Sequence, residues 1–171
     1  MFPLFLLDNG MSATELGLWN GMVAMGFSII GSSIGGILLS IYGAFSLMKT
    51  FFVMRLGGLA FQTFLLFVFN SNSWLMKGAA ILSISLQHFI GGLITTLTFT
   101  VMMHCSQNAD ERIQATHYSF LATLEVMGKL TFSALAGWIV DWIGFPASFF
   151  LFIILSTAAV VHVFKAQVTG R

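Results

Sequence analysis

THYSFLATLEVMGKLTFSALAGWI, Thr116 to Ile139, is long and apolar enough to cross a bilayer, yet Glu125 and Lys129 sit near its middle. At 1.5 Å rise per residue, about 20 residues cross a hydrocarbon layer of about 30 Å. A charge at that depth costs roughly 2.5 to 3.5 kcal/mol on insertion scales. The two charges stand four residues apart with the acid first, the favourable order for a helical pair. Pairing lowers the cost without abolishing it. A helix that keeps both is expected to border a protein interior or an aqueous path. Two readings stay open, a substrate or ion pathway and a structural lock between helices. His117 and Tyr118 extend the stripe toward one end, where a His can carry a proton or simply sit at the interface.

Working outward, the rest of the chain is equally apolar. Its 171 residues are 57 % hydrophobic and only 8 % charged, and nineteen of them are Phe. A typical soluble domain is roughly 25 % charged, so a soluble enzyme is excluded, and so much Phe, Leu and Ile excludes disorder. A net charge of +1 gives no polyanion footprint, so nucleic acid is not an expected partner. Cys105 is the only cysteine, and His104 beside it has no further ligand at useful spacing, so neither a metal nor a cofactor is expected. No P-loop, GxSxG or HExxH motif occurs, and Asp110-Glu111-Arg112 reads as a solvated loop. The chain is read as an integral, multi-pass membrane protein and not as an enzyme.

Hydrophilic clusters cut it into five apolar blocks, 17–42, 51–69, 78–103, 116–139 and 148–164. Each is long enough, or nearly so, for a transmembrane helix, and no period-two alternation suggests a barrel. The fold class expected is therefore all-α and polytopic, with five transmembrane helices. Residues 1–16 read as the last turns of a helix (MFPLFLL) and a non-cytosolic loop, and 165–171 as a tail. Connections are expected at 43–50, 70–77, 104–115 and 140–147. With alternating sides, Lys49, Arg55, Arg112, Lys165 and Arg171 share one face and Lys77 the other. That bias predicts a cytosolic C-terminus. Trp74, Trp138 and Trp142 fall at the opposite boundary, where indoles prefer to lie.

The blocks differ in polarity. The second and fifth are apolar almost all round and are expected to face lipid. The first carries two GxxxG patterns, Gly17 to Gly21 and Gly31 to Gly35, which predict close helix packing. Asn20 on the same stripe belongs either to that packing or to a substrate path. On the third block Gln87, Gly91, Thr95 and Thr98 share a face with His88 beside it, as interhelical glue or as a cavity lining. One pattern occurs twice: Gly36, Ser40 and Gly43 end the first span, and Gly137, Asp141 and Gly144 end the fourth at matching spacing. The two copies lie on opposite faces, the arrangement that inverted three-helix repeats produce.

GGILLSIYG (Gly35 to Gly43) resembles the degenerate second copy of the loop motif of the major facilitator superfamily, with Ser40 in place of its acidic residue and Ile41 in place of its basic one. PLFLLDNGMSATELGLWNG (Pro3 to Gly21), QATHYSFLATLEVMGKL (Gln114 to Leu130) and AGWIVDWIG (Ala136 to Gly144) resemble the acetyl-CoA transporter and AmpG-type muropeptide permease branch. The resemblance implies the end of helix seven and helices eight to twelve of a twelve-helix secondary transporter. It implies membrane transport of acetyl-CoA or another organic anion, with proton coupling in the permease branch, and it makes the second and fifth spans outer helices. The pathway residues expected are Glu125, Lys129, Gln87, His88 and Asn20. Lys129 would meet the anion or neutralise Glu125, and Glu125 could take a coupling proton. Expected partners are the lipid bilayer, a small organic anion, a proton, and a missing N-terminal helix bundle or another membrane chain. Such carriers bind substrate between two bundles, so the chain is expected not to transport alone. The alternative is a non-transporting, truncated membrane protein that associates with a full-length copy.

Overall fold

A computed structural model describes residues 2–68 and 74–169, which are helical nearly throughout and contain no strand. Residues 69–73, which include half of the expected connection at 70–77, and 170–171 of the tail lie outside the described residues. The elements are α1 (Phe2–Asp8), α2 (Ala13–Ile41), α3 (Ala44–Val68), α4 (Trp74–Gln107) and a helical run Gln114–Thr169. That run breaks at Gly144, whose φ of 77° and ψ of 168° are not helical, into α5 (114–143) and α6 (145–169).

Among the described residues, four helical runs are long and apolar enough to cross a membrane. The last, Gln114–Lys165, has 52 residues and is about 78 Å long, more than twice a hydrocarbon layer of about 30 Å. The break at Gly144 divides it into two spans. Only glycine adopts that backbone freely. Pro146 just beyond it lacks an N–H, which costs nothing in the first turn of a helix. Ser148 Oγ donates to the Gly144 carbonyl at 2.8 Å and anchors the new turn. The protein is thus an all-helical chain compatible with a multi-pass membrane protein.

The connections are shorter than hydropathy suggests. Residues 43–50 were expected as a loop, but α3 starts at Ala44 and only Tyr42 and Gly43 intervene. Between α5 and α6 the expected connection at 140–147 contracts to a break at Gly144, and α4 continues through His104 and Cys105 to Gln107. Polar side chains mark where a helix leaves hydrocarbon, not where its hydrogen-bond ladder ends. Lys49 and Asp141 sit on helix beyond that limit.

α2 and α4 run parallel and form the most extensive helix pair. A Cβ on Gly31 would overlap the Phe89 carbonyl, and one on Gly92 would overlap the Ser28 carbonyl, so the two backbones touch. Thr96 Oγ1 crosses the seam to the Ser32 carbonyl at 3.1 Å, and Ser32 Oγ returns to the Gly92 carbonyl at 3.3 Å. Lipid tails are as apolar as leucine, so van der Waals contact and such bonds hold membrane helices together. α1, too short to span, buries Phe2 and Leu6 in one core cluster with Leu65, Ala80, Ile84 and Phe149. A second cluster, Leu47, Phe51, Leu93 and Leu97, ties the start of α3 to α4. Lys49 Nζ, 4.8 Å from the Phe164 ring centroid, joins the start of α3 to the end of α6.

Candidate functional site

The face of α4 away from the seam carries Gln87, His88, Gly91 and Thr95, which line a cleft of about 600 Å³. All five spans contribute to it. α2 supplies Ser28; α3 supplies Arg55, Leu59 and Gln62; α5 supplies Lys129, Phe132 and Ala136; α6 supplies Phe152, Leu155 and Ser156. The cleft is open, since the Lys129 side chain is 60 % exposed and Phe132 and Leu155 are also exposed. A smaller cavity of about 180 Å³ shares Gln62, Gln87 and His88 with it and continues to Phe2 and Pro3 of α1.

Depth is what makes the cleft unusual. Arg55 lies about 16 Å along α3 and Lys129 about 22 Å along α5, so both stand near mid-span. Lys129 Nζ is ion-paired with Glu125 Oε1 one turn earlier, and the Glu125 side chain is only 12 % exposed. Its second oxygen, Oε2, is buried without a hydrogen-bond partner. Among the described residues no carboxylate lines the cleft, which presents two cations, an imidazole and a few neutral polar groups. Gln87 is positioned by backbone: its Nε2 donates to the Arg55 carbonyl at 3.4 Å, and it crosses α3 at Gly58, where a Cβ would stand 2.8 Å from that nitrogen.

Of the pathway residues expected, Gln87, His88 and Lys129 line the cleft. Glu125 sits behind Lys129 as its partner. Asn20 does not line it; it lies in the distorted turn Trp19–Val23 of α2. Among the packing glycines, Gly31 and Gly35 meet α4 backbone. Gly17 and Gly21 do not, for nothing lies within 4 Å of a Cβ at either position. Of the paired loop motif, Gly43 and Gly144 mark helix breaks. Ser40 Oγ donates to the Ile37 carbonyl of its own helix at 2.7 Å. Gly36 and Gly137 face open space, and Asp141 is exposed. His117 Nδ1 lies 3.2 Å from Ser106 Oγ and clips the start of α5 to the end of α4. Thr98 turns back on the Ile94 carbonyl of its own helix at 2.8 Å.

Two expectations need correction. Arg55 is counted above with the boundary charges because the second block opens at 51; with α3 beginning at Ala44, it is more than three turns inside. The second and fifth spans are not purely lipid-facing, because each gives three residues to the cleft. The pattern that finds Arg55 is present in the sequence: Arg55, Leu59 and Gln62 recur at helical spacing on one face. Among the described residues no group of His, Cys, Asp and Glu could hold a metal ion. No protein-family model matches the chain.

Proposed function

We propose that the chain is a helix bundle of a secondary transporter, of the acetyl-CoA transporter and muropeptide permease kind, and that its cleft receives an organic anion. The observation that supports this is an open, mid-depth cleft of about 600 Å³ with Arg55, Lys129 and His88 in its wall and no carboxylate among its described lining residues. Small-molecule sites typically enclose about 300 to 1,000 Å³, with a few polar groups among apolar ones. Charged side chains inside a membrane bundle characteristically mark solute pathways.

In this reading Arg55 and Lys129 neutralise the anion, Gln87 and Thr95 bind its polar edges, and Phe132 and Phe152 cover its apolar part. Glu125 holds the Lys129 ammonium by their ion pair while the cleft is empty. When the anion draws Lys129 away, the carboxylate loses its counter-charge and becomes the seat for a proton. The C-terminus is cytosolic, and the open side of the cleft faces a second helix bundle, against which rocking alternates access. The role is that of a carrier, not an enzyme.

Ligand binding stabilises by mass action, so thermal unfolding of the purified chain in detergent provides the test. Acetyl-CoA and a panel of small organic anions are compared with inorganic sulfate at constant ionic strength. At least one organic anion is expected to raise the midpoint saturably, with the effect lost in Arg55→Gln and Lys129→Gln. No saturable shift, or equal shifts in wild type and both variants, would overturn the reading.

A further inference from the structure

The cleft does not end at its charged residues. The smaller cavity of about 180 Å³ shares its polar wall residues, Gln62, Gln87 and His88, with the cleft. Every residue it adds to them and to the shared Leu59 and Phe152 is apolar: Phe2, Pro3, Ile84 and Phe149. Phe2, Ile84 and Phe149 are buried, and the Phe2 and Phe149 rings meet edge to face with centroids 6.2 Å apart.

The two spaces follow one another along the helix axes. α3 runs antiparallel to α4, with Leu47 and Phe51 in one cluster with Leu93 and Leu97, and Leu65 and Leu66 in another with Ala80 and Ile84. It is antiparallel to α6 as well, because Lys49 meets Phe164 near one end and Phe67 meets Phe150 near the other. Going forward on α3, Gln62 lies seven residues, about 10 Å, beyond Arg55. In that same direction α4 steps back from Thr95 through His88 to Ile84, and α6 from Ser156 through Phe152 to Phe149. Charge therefore stands at one end of a continuous space and hydrocarbon at the other, with Gln62, Gln87 and His88 as the neck between them.

We infer that the anion received by the cleft is an amphiphile: a carboxylate whose head meets Arg55 and Lys129 and whose alkyl tail passes the neck into the cavity of Phe2, Ile84 and Phe149. The inference rests on the anion reading of the cleft and names its ligand class. A guanidinium suits a carboxylate head because its fork of N–H donors matches the two oxygens. A compact polar anion would leave the cavity to water, which needs two to four polar partners and meets mostly hydrocarbon there. Each methylene moved from water into apolar surroundings is worth about three- to fourfold in affinity. A cavity walled by buried rings also sets a length limit, because a tail that is too long must displace packed side chains.

The test is a series of linear carboxylates from acetate to decanoate, each titrated into the purified chain in detergent at constant ionic strength and below its own micelle-forming concentration. Apparent affinity is read from the saturable rise in the thermal unfolding midpoint. It is expected to grow about three- to fourfold per methylene, reach a maximum at one chain length and stop growing beyond it. Alkylammonium chlorides of the same lengths enter detergent too but are repelled by Arg55 and Lys129, and should give no saturable rise. Ile84→Phe narrows the cavity and should move the maximum to a shorter acid, whereas Phe2→Leu should move it to a longer one. Should either variant fold poorly, the wild-type series decides alone. Equal affinity at every length would overturn the inference and leave the anion reading standing, while no rise with any acid would overturn both. Equal rises with amines and acids would reveal a detergent effect and overturn the inference as well.

Discussion

Gly91 and Gly92 are neighbours on α4, and they belong to two different worlds. Gly92 is buried in the seam with α2, where the backbones are so close that no side chain fits. Gly91 lines the cleft, and nothing lies within 4 Å of a Cβ placed on it. One helix therefore presents a locked face and an open face about 100° apart. The locked face fixes where the open one stands. On the seam, Thr96 and Ser32 bond directly across the helices; on the cleft side, Arg55, His88 and Lys129 face open volume. Small residues supply rigidity here and polar residues supply recognition, and α4 carries both without mixing them.

The contrast is best broken at the seam, where the largest effect is expected. Gly92→Ala places a methyl on the Ser28 carbonyl and 2.9 Å from the Ser32 nitrogen, and backbone cannot swing aside. The expected cost is about 3 kcal/mol in detergent–SDS unfolding, while Gly91→Ala stays within about 0.5 kcal/mol of wild type. Next comes the cleft-side ion pair. Lys129→Ala leaves Glu125 with little solvent and no counter-charge, and should destabilise by about 2 kcal/mol. Glu125→Gln should cost less, and adding it to Lys129→Ala should recover most of the loss in the same unfolding assay. Smaller still is Gly58→Ala: its new methyl meets only the tip of Gln87, a flexible side chain. Stability should fall by less than about 1 kcal/mol, but Gln87 is pushed off the Arg55 carbonyl and the anion-induced melting shift should shrink. Smallest are Gly17→Ala and Gly21→Ala, expected within about 0.5 kcal/mol of wild type despite their GxxxG spacing.

Those last two variants also show where sequence reading succeeds and stops. Five apolar blocks, the helical class and the unusual position of Glu125 and Lys129 are all legible, because hydropathy and charge cost are local quantities. Gly31–Gly35 and Gly17–Gly21 have the same spacing, but only the first meets a partner backbone, and contact is a tertiary property. Arg55 was hidden by a boundary: Lys49 and Thr50 look like loop, yet α3 already runs through them. Asn20 and Ser83 are ordinary in sequence; that Asn20 Oδ1 and Ser83 Oγ are buried without hydrogen-bond partners emerges only from the packing of the helices. The π turn of α2, Trp19–Val23, has no pattern of its own in WNGMV.

The central claim is that the mid-depth charges border an aqueous cleft and not lipid. Its most direct test is cysteine accessibility in membranes, in a Cys105→Ser background, using a charged, membrane-impermeant thiosulfonate reagent added to both sides. Ser156 lines the cleft, and Ile154, two residues away on α6, is 64 % exposed on the outer surface at nearly the same depth. The account predicts rapid labelling of Ser156→Cys, slowed by arginine-binding organic anions, and negligible labelling of Ile154→Cys. Equal protection of both positions would place the cleft in lipid and contradict the account.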